Sequence, residues 1–158
     1  MSDGRHDFDF LHGSWTIRNR RLAARLEGSD DWLEFDSTAQ VRPILLGLGN
    51  SETISIPDLP GTGPFEGHTT RLFDPVARHW SIFWASTGAP GRMDPPLTGT
   101  FEDGQGVFYG DDTFQGRPVR VRFDWIPDGP DRARWQQSYS DDGGSSWELD
   151  WIMDFSRA

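Results

Sequence analysis

The sequence predicts an all-β chain of about ten antiparallel strands, arranged as a sandwich or an up-and-down barrel. Three observations carry this. Apolar side chains recur with a period of two along most of the chain, turn clusters interrupt them at regular spacing, and 18 Gly and 11 Pro supply the punctuation. A length of 158 residues fits a single domain over 1–158, enough chain to bury one core without staples. Aromatics make up 13% of it, a content that disordered acidic chains lack.

The first strand is expected at 15–23, where Trp15, Ile17, Asn19 and Arg21 alternate with Thr16, Arg18 and Arg20. Further strands follow at 31–41, 48–56, 67–73 and 79–85, then 97–102, 107–113, 119–125, 132–140 and 147–156. Gly28-Ser29-Asp30, Asp74-Pro75, Asp103-Gly104, Gln115-Gly116, Asp128-Gly129 and Asp142-Gly143 mark turns between them. Residues 22–26, rich in Ala and Arg, have helix-favouring propensities that cut across the strand pattern. Residues 6–11 read as one helical turn presenting Phe8, Phe10 and Leu11, a short plug for a barrel end. The segments 57–65 and 86–96, rich in Gly and Pro, are the longest expected loops and the natural rim of a binding site.

Composition excludes several chemistries. There is no Cys, and all 15 basic residues are Arg, so disulfides, thiolate nucleophiles, Schiff-base lysines and P-loop lysines are absent. His6, His12, His68 and His79 share no metal-ligand spacing, and no metal or cofactor is expected. Asp141-Asp142-Gly143-Gly144-Ser145 lacks the alternating ligands of a calcium loop and reads as a hairpin turn. A formal charge of −10 argues against nucleic acid as a partner. With no apolar run of membrane-spanning length and no signal-peptide core, the expectation is a soluble, cytoplasmic protein with no membrane partner. A homodimer is left open.

The opening Phe8-Asp9-Phe10-Leu11-His12-Gly13-Ser14-Trp15 resembles that of lipocalin-like, calycin-type barrels, in which a Gly-x-Trp on the first strand lays a Trp across the closed end. More closely, the chain resembles a family of small, uncharacterised bacterial proteins with the same opening. The likeness extends through Asn19-Arg20-Arg21, Arg71-Leu72-Phe73-Asp74-Pro75, Trp80-Ser81-Ile82-Phe83-Trp84, Gly110-Asp111-Asp112-Thr113-Phe114, and Ser140-Asp141-Asp142-Gly143-Gly144 with Trp147-Glu148. It implies a single lipocalin-like antiparallel barrel of about ten strands. Barrels of this kind bind fatty acids, pigments or haem, and some catalyse cyclisations; the family itself brings no settled activity.

If Trp15 faces inward, parity selects the rest of the interior. The fourth strand then offers His68, Thr70 and Leu72, the fifth Trp80, Ile82 and Trp84, and the seventh Val107, Tyr109 and Asp111. The eighth offers Val119, Val121, Phe123 and Trp125, the ninth Trp135, Gln137 and Tyr139, and the tenth Trp147, Leu149, Trp151, Met153 and Phe155. Strand two is ambiguous, since Trp32 and Phe35 lie on opposite faces. A ten-stranded barrel is wider than its side chains fill, so an aromatic-lined cavity for a hydrophobic or aromatic small molecule is expected. Its ligand would meet Asn19, Arg21, Trp84, Tyr109, Asp111, Trp135, Gln137 and Trp151. Buried together, Arg21 and Asp111 would pair with each other or with the ligand, and Arg21 suits a carboxylate or enolate. The alternative is a metal-independent isomerase, cyclase or hydratase in the same cavity, with His68, Asp111 and Tyr109 moving protons. His68 would also be the haem ligand, were there one.

Overall fold

The computed structural model describes residues 3–158. Ten strands form one closed barrel: β1 (Gly13–Leu22), β2 (Trp32–Ile44), β3 (Gly49–Leu59), β4 (Gly63–Asp74), β5 (His79–Ser86), β6 (Leu97–Glu102), β7 (Gln105–Phe114), β8 (Arg117–Asp128), β9 (Arg132–Ser140) and β10 (Glu148–Arg157). Each pairs antiparallel with its neighbours in sequence, and β10 returns to β1 to close the cylinder. Trp15 stands opposite Arg157 and Arg21 opposite Trp151 along that seam. Closure gives every strand a hydrogen-bonded neighbour on each side, the shortest ladder being that of β5 and β6. No helix among the described residues is long and apolar enough to cross a membrane.

One end of the barrel is packed solid. Trp15, Phe8, Phe108, Phe155 and Leu11 are the largest fully buried side chains there. The ring of Phe8 meets those of Trp80, Phe101 and Trp125 edge to face at 5.0, 4.9 and 5.9 Å, the arrangement that the aromatic quadrupole favours. Trp15 donates its indole N–H to the Leu11 carbonyl at 2.8 Å. The guanidinium of Arg157 lies 4.1 Å above the Trp15 ring and donates to the carbonyls of His12 and Phe10. Gly13 makes this possible. Its φ of +116° is hard for other residues, and a Cβ there would stand 2.6 Å from Arg157 Nη1.

Several expectations need correction. No α-helix forms at the N-terminus; Asp9–Leu11 is a single 3-10 turn, too short for the expected helical plug. Residues 57–65 are mostly not loop, because β3 and β4 extend to within three residues of each other beyond an irregularity in their pairing after Ile56. The 86–96 segment is a loop over residues 87–96. The helix-prone 22–26 stretch ends β1 at Leu22 and then bends, with Leu26 at φ +60°. On β2 the ambiguity resolves toward Phe35, which is buried along with Ser37, Ala39 and Val41.

Parity fails on two strands. On β4 the buried residues are Gly67, Thr69, Arg71 and Phe73, so His68, Thr70 and Leu72 face the other way. On β7 the buried ones are Gly106 and Phe108, which turns Val107, Tyr109 and Asp111 outward. Both errors have one cause: the inward positions carry an arginine or glycines, while the outward ones carry apolar side chains. Register then cannot be read from hydrophobicity. Glycines face inward on β7 because bulk is excluded; a Cβ on Gly106 would stand 2.8 Å from the Phe101 and Phe108 rings. On β10 the pairing with β9 shifts between Leu149 and Trp151. Trp151, Met153 and Phe155 point in as expected, but Trp147 lies ahead of the strand against the outer ring of Tyr109, and Asp150 is buried instead.

Candidate functional site

Above the packed end the barrel is hollow. A cavity of about 420 Å³ opens between the upper strand ends and the 87–96 loop, within the size range of small-molecule sites. Its wall is aromatic, with Phe65, Trp84, Phe114, Phe123, Trp135 and Trp151 among the lining residues. Trp135 packs edge to face against both Phe123 and Trp151, at 5.0 and 5.7 Å. Trp84 lies over Gly67, where a Cβ would stand 2.0 Å from its ring; the missing side chain is what lets the indole lie flat against β4.

The floor is polar. Arg71, 2% exposed, donates from Nη2 to Glu52 and from Nη1 to Asn50 at 2.8 Å. Its guanidinium stacks 5.1 Å from the Phe8 ring and 5.2 Å from that of Trp125. Arg71 Nε and Glu52 Oε2 are buried without a hydrogen-bond partner among the described residues, and both residues line the cavity. In a buried pair of this kind each group offsets the desolvation cost of the other.

Near the mouth stands a second polar group. Arg21 and Arg25 line the cavity, with Tyr139 and Gln137 beside them. Arg21 Cζ lies 4.8 Å above the Trp151 ring, and burial, then the neighbouring Arg25 charge, brings its pKa down to about 10. Asp150 is fully buried, accepts from Gln137 Nε2 at 2.8 Å and lies 3.9 Å from Arg25 Nε. Burial pushes its carboxyl up to about 6, against the pull of Arg25, Gln137 and Arg21. The Tyr139 hydroxyl, raised by burial, accepts a long hydrogen bond from Arg25 Nη1 at 3.4 Å.

Of the residues that the sequence assigns to ligand, Arg21, Trp84, Trp135, Gln137 and Trp151 line this cavity together. Asn19 stands behind the wall: fully buried, it accepts from Trp151 Nε1 at 3.0 Å and donates to Ser37, fixing the indole. Asp111 reaches only the rim. Its carboxylate is 85% exposed and pairs with Arg120 at 3.4 Å, so the expected buried pair with Arg21 does not form. Tyr109 lies on the outer face, 37% exposed, between the guanidiniums of Arg120 and Arg122. His68 is also outside, its Nε2 3.1 Å from Thr70 Oγ1, and does not reach the cavity where a haem ligand or proton shuttle would have to act. No group of three or more His, Asp and Glu side chains suited to a metal ion occurs among the described residues.

Sequence reasoning missed Arg25, Glu52, Arg71 and Asp150. The in-phase run Gly67, Thr69, Arg71, Phe73 contained the signal for Arg71, had Phe73 been given more weight than Leu72. For Asp150 no signal existed, because it depends on an irregular pairing.

An up-and-down closed barrel, packed at one end and hollow and aromatic at the other, is the architecture of lipocalin-like barrels. Solved structures of the same shape include the S-type phycobiliprotein lyase of Guillardia theta, at TM-score 0.61 and 13% identity over 99% of this chain and 95% of that one. A de novo designed fluorescence-activating β barrel matches at TM-score 0.52 and 14% identity over the whole of both chains. At such identities the likeness is one of fold. No family model matches the sequence, and no curated protein matches it.

Proposed function

We propose that the protein binds a hydrophobic or aromatic small molecule in the barrel cavity. The observation that carries this is the 420 Å³ hollow lined by Trp84, Trp135 and Trp151 and open at one end. A barrel built only for stability would fill that volume, because each void forfeits packing energy. The two solved neighbours, a fluorescence-activating barrel and a phycobiliprotein lyase, support the reading by fold. Phe8 and Leu11, buried beside the 3-10 turn, would serve as the stopper of the packed end. The whole chain would act as one domain of the uncharacterised bacterial lipocalin-like family that its opening resembles.

The test is quenching of intrinsic tryptophan fluorescence by a panel of aromatic ligands, since three to four indoles stand at the wall. Saturable quenching is expected in the wild type. In Ala89→Trp it should be lost, because Ala89 lines the mouth on the 87–96 loop and a bulky ring there obstructs entry without touching the core. No saturable quenching by any ligand, or quenching unchanged in Ala89→Trp, would overturn the proposal.

A further inference from the structure

We propose that the cavity selects organic anions: its ligand is an aromatic carboxylate whose charged group seats on Arg21 and Arg25 while its ring system lies against Trp151 and Trp135. This rests on the cavity reading above and adds the chemical class of the ligand.

The charge balance at the upper end is the first ground. Arg21 has no hydrogen bond or ion pair among the described residues, and its Nε is buried without a partner. Arg25, with a side chain only 11% exposed, has its Nη2 buried and unpartnered as well. Among the described residues the fully buried Asp150 is the carboxylate paired with Arg25, at 3.9 Å, and it is already engaged by Gln137; Glu148, which acts on Asp150, accepts from the Leu26 N–H at 2.6 Å. The two guanidiniums therefore share one paired carboxylate and keep unmet donors at the cavity wall. Of the carboxylates that line the mouth, Asp94 pairs with Arg92 at 3.3 Å and Asp111 with Arg120 at 3.4 Å, while Asp112 accepts from the Thr113 N–H at 2.7 Å.

The second ground is geometry. A guanidinium offers a planar fork of donors that matches a carboxylate, and Arg21 presents its donors from a position stacked on Trp151. Unmet donors and aromatic wall are thus adjacent, so one ligand would satisfy both. The lowered pKa of Arg21 fits the same picture, since burial beside Arg25 disfavours its charge until an anion arrives.

A matched pair of probes tests it. 9-Anthracenecarboxylate and its methyl ester share a ring system and differ in charge, and both are read by quenching of tryptophan emission. The acid is expected to bind at least about tenfold tighter than the ester, the scale of one charge-assisted hydrogen bond. Arg21→Met should remove most of that preference by weakening the acid far more than the ester, while Arg21→Lys should restore part of it. Thermal unfolding confirms that each variant is folded. Equal affinity for acid and ester in the wild type, or equal loss of both in Arg21→Met, would overturn the anion assignment while the cavity reading stands. Failure of both probes to bind, while other aromatic ligands quench saturably, would likewise overturn the anion assignment alone.

Discussion

A single buried carboxyl makes stability depend on pH in a direction opposite to most acidic residues. Asp150 titrates near 6 in the folded barrel and near the ordinary aspartate value when unfolded. Between about pH 4 and 6 the native state therefore holds the extra proton, and stability falls as pH rises through that window. Two units correspond to about 2–3 kcal/mol. Arg25, Arg21 and Gln137 face this carboxyl and favour its charged form, and Glu148 opposes it; the net upward shift means that burial outweighs the partners. Asp94 and Asp7 are also raised by burial and tilt the curve the same way, so the comparison that isolates Asp150 is with Asp150→Asn. Unfolding free energy measured from pH 4 to 7 should slope downward in the wild type, and less so in the variant; identical slopes would contradict the assignment. At the cavity floor, Arg71→Met leaves the buried Glu52 carboxyl without its partner, and is expected to cost about 3–5 kcal/mol. The double change with Glu52→Gln should cost far less than the sum of the single changes in denaturant unfolding.

At the scale of the strand, β4 shows how an element can be built against its apparent pattern. Its inner face carries Gly67, Thr69, Arg71 and Phe73, so one glycine and one arginine occupy positions that hydrophobic alternation would give to apolar side chains. Gly67 is there because Trp84 of β5 lies across it. Gly67→Val should thus displace that indole into the cavity, costing about 1–3 kcal/mol by overpacking and weakening ligand quenching together. A variant as stable as wild type with unchanged binding would show that Trp84 has another place to go. The ten strands themselves were legible from turn chemistry and alternation, with 97–102 and 132–140 matching β6 and β9 to the residue. The inner faces of β1, β5, β8 and β9 were legible too, because Trp15 and Ile17, Trp80 and Ile82, Val119, Val121 and Trp125, and Trp135 mark the inner phase there. Where a glycine or an irregular pairing set the face, as at Gly106 and Asp150, the sequence carried no contrast to read, and at Arg71 only Phe73 marked the inner phase against Leu72. Half of the polar site was hidden for that reason.

At the scale of the whole molecule, the barrel separates two tasks along its axis. The lower half, from Phe8 and Trp15 to Phe155, is filled and supplies the cooperative core; the upper half gives up packing for an accessible hollow. Arg71 sits at the boundary, stacked on the core below and lining the cavity above. The seam between β1 and β10 imposes an order on how this molecule comes into being. Every other ladder joins neighbours in sequence and can form as soon as a hairpin emerges, but Trp15 cannot meet Arg157 until some 140 residues of intervening chain exist. Until β10 has been made, the outer edge of β1 has no strand to pair with. Closing the barrel is a long-range zipping that must wait for the last strand to be made.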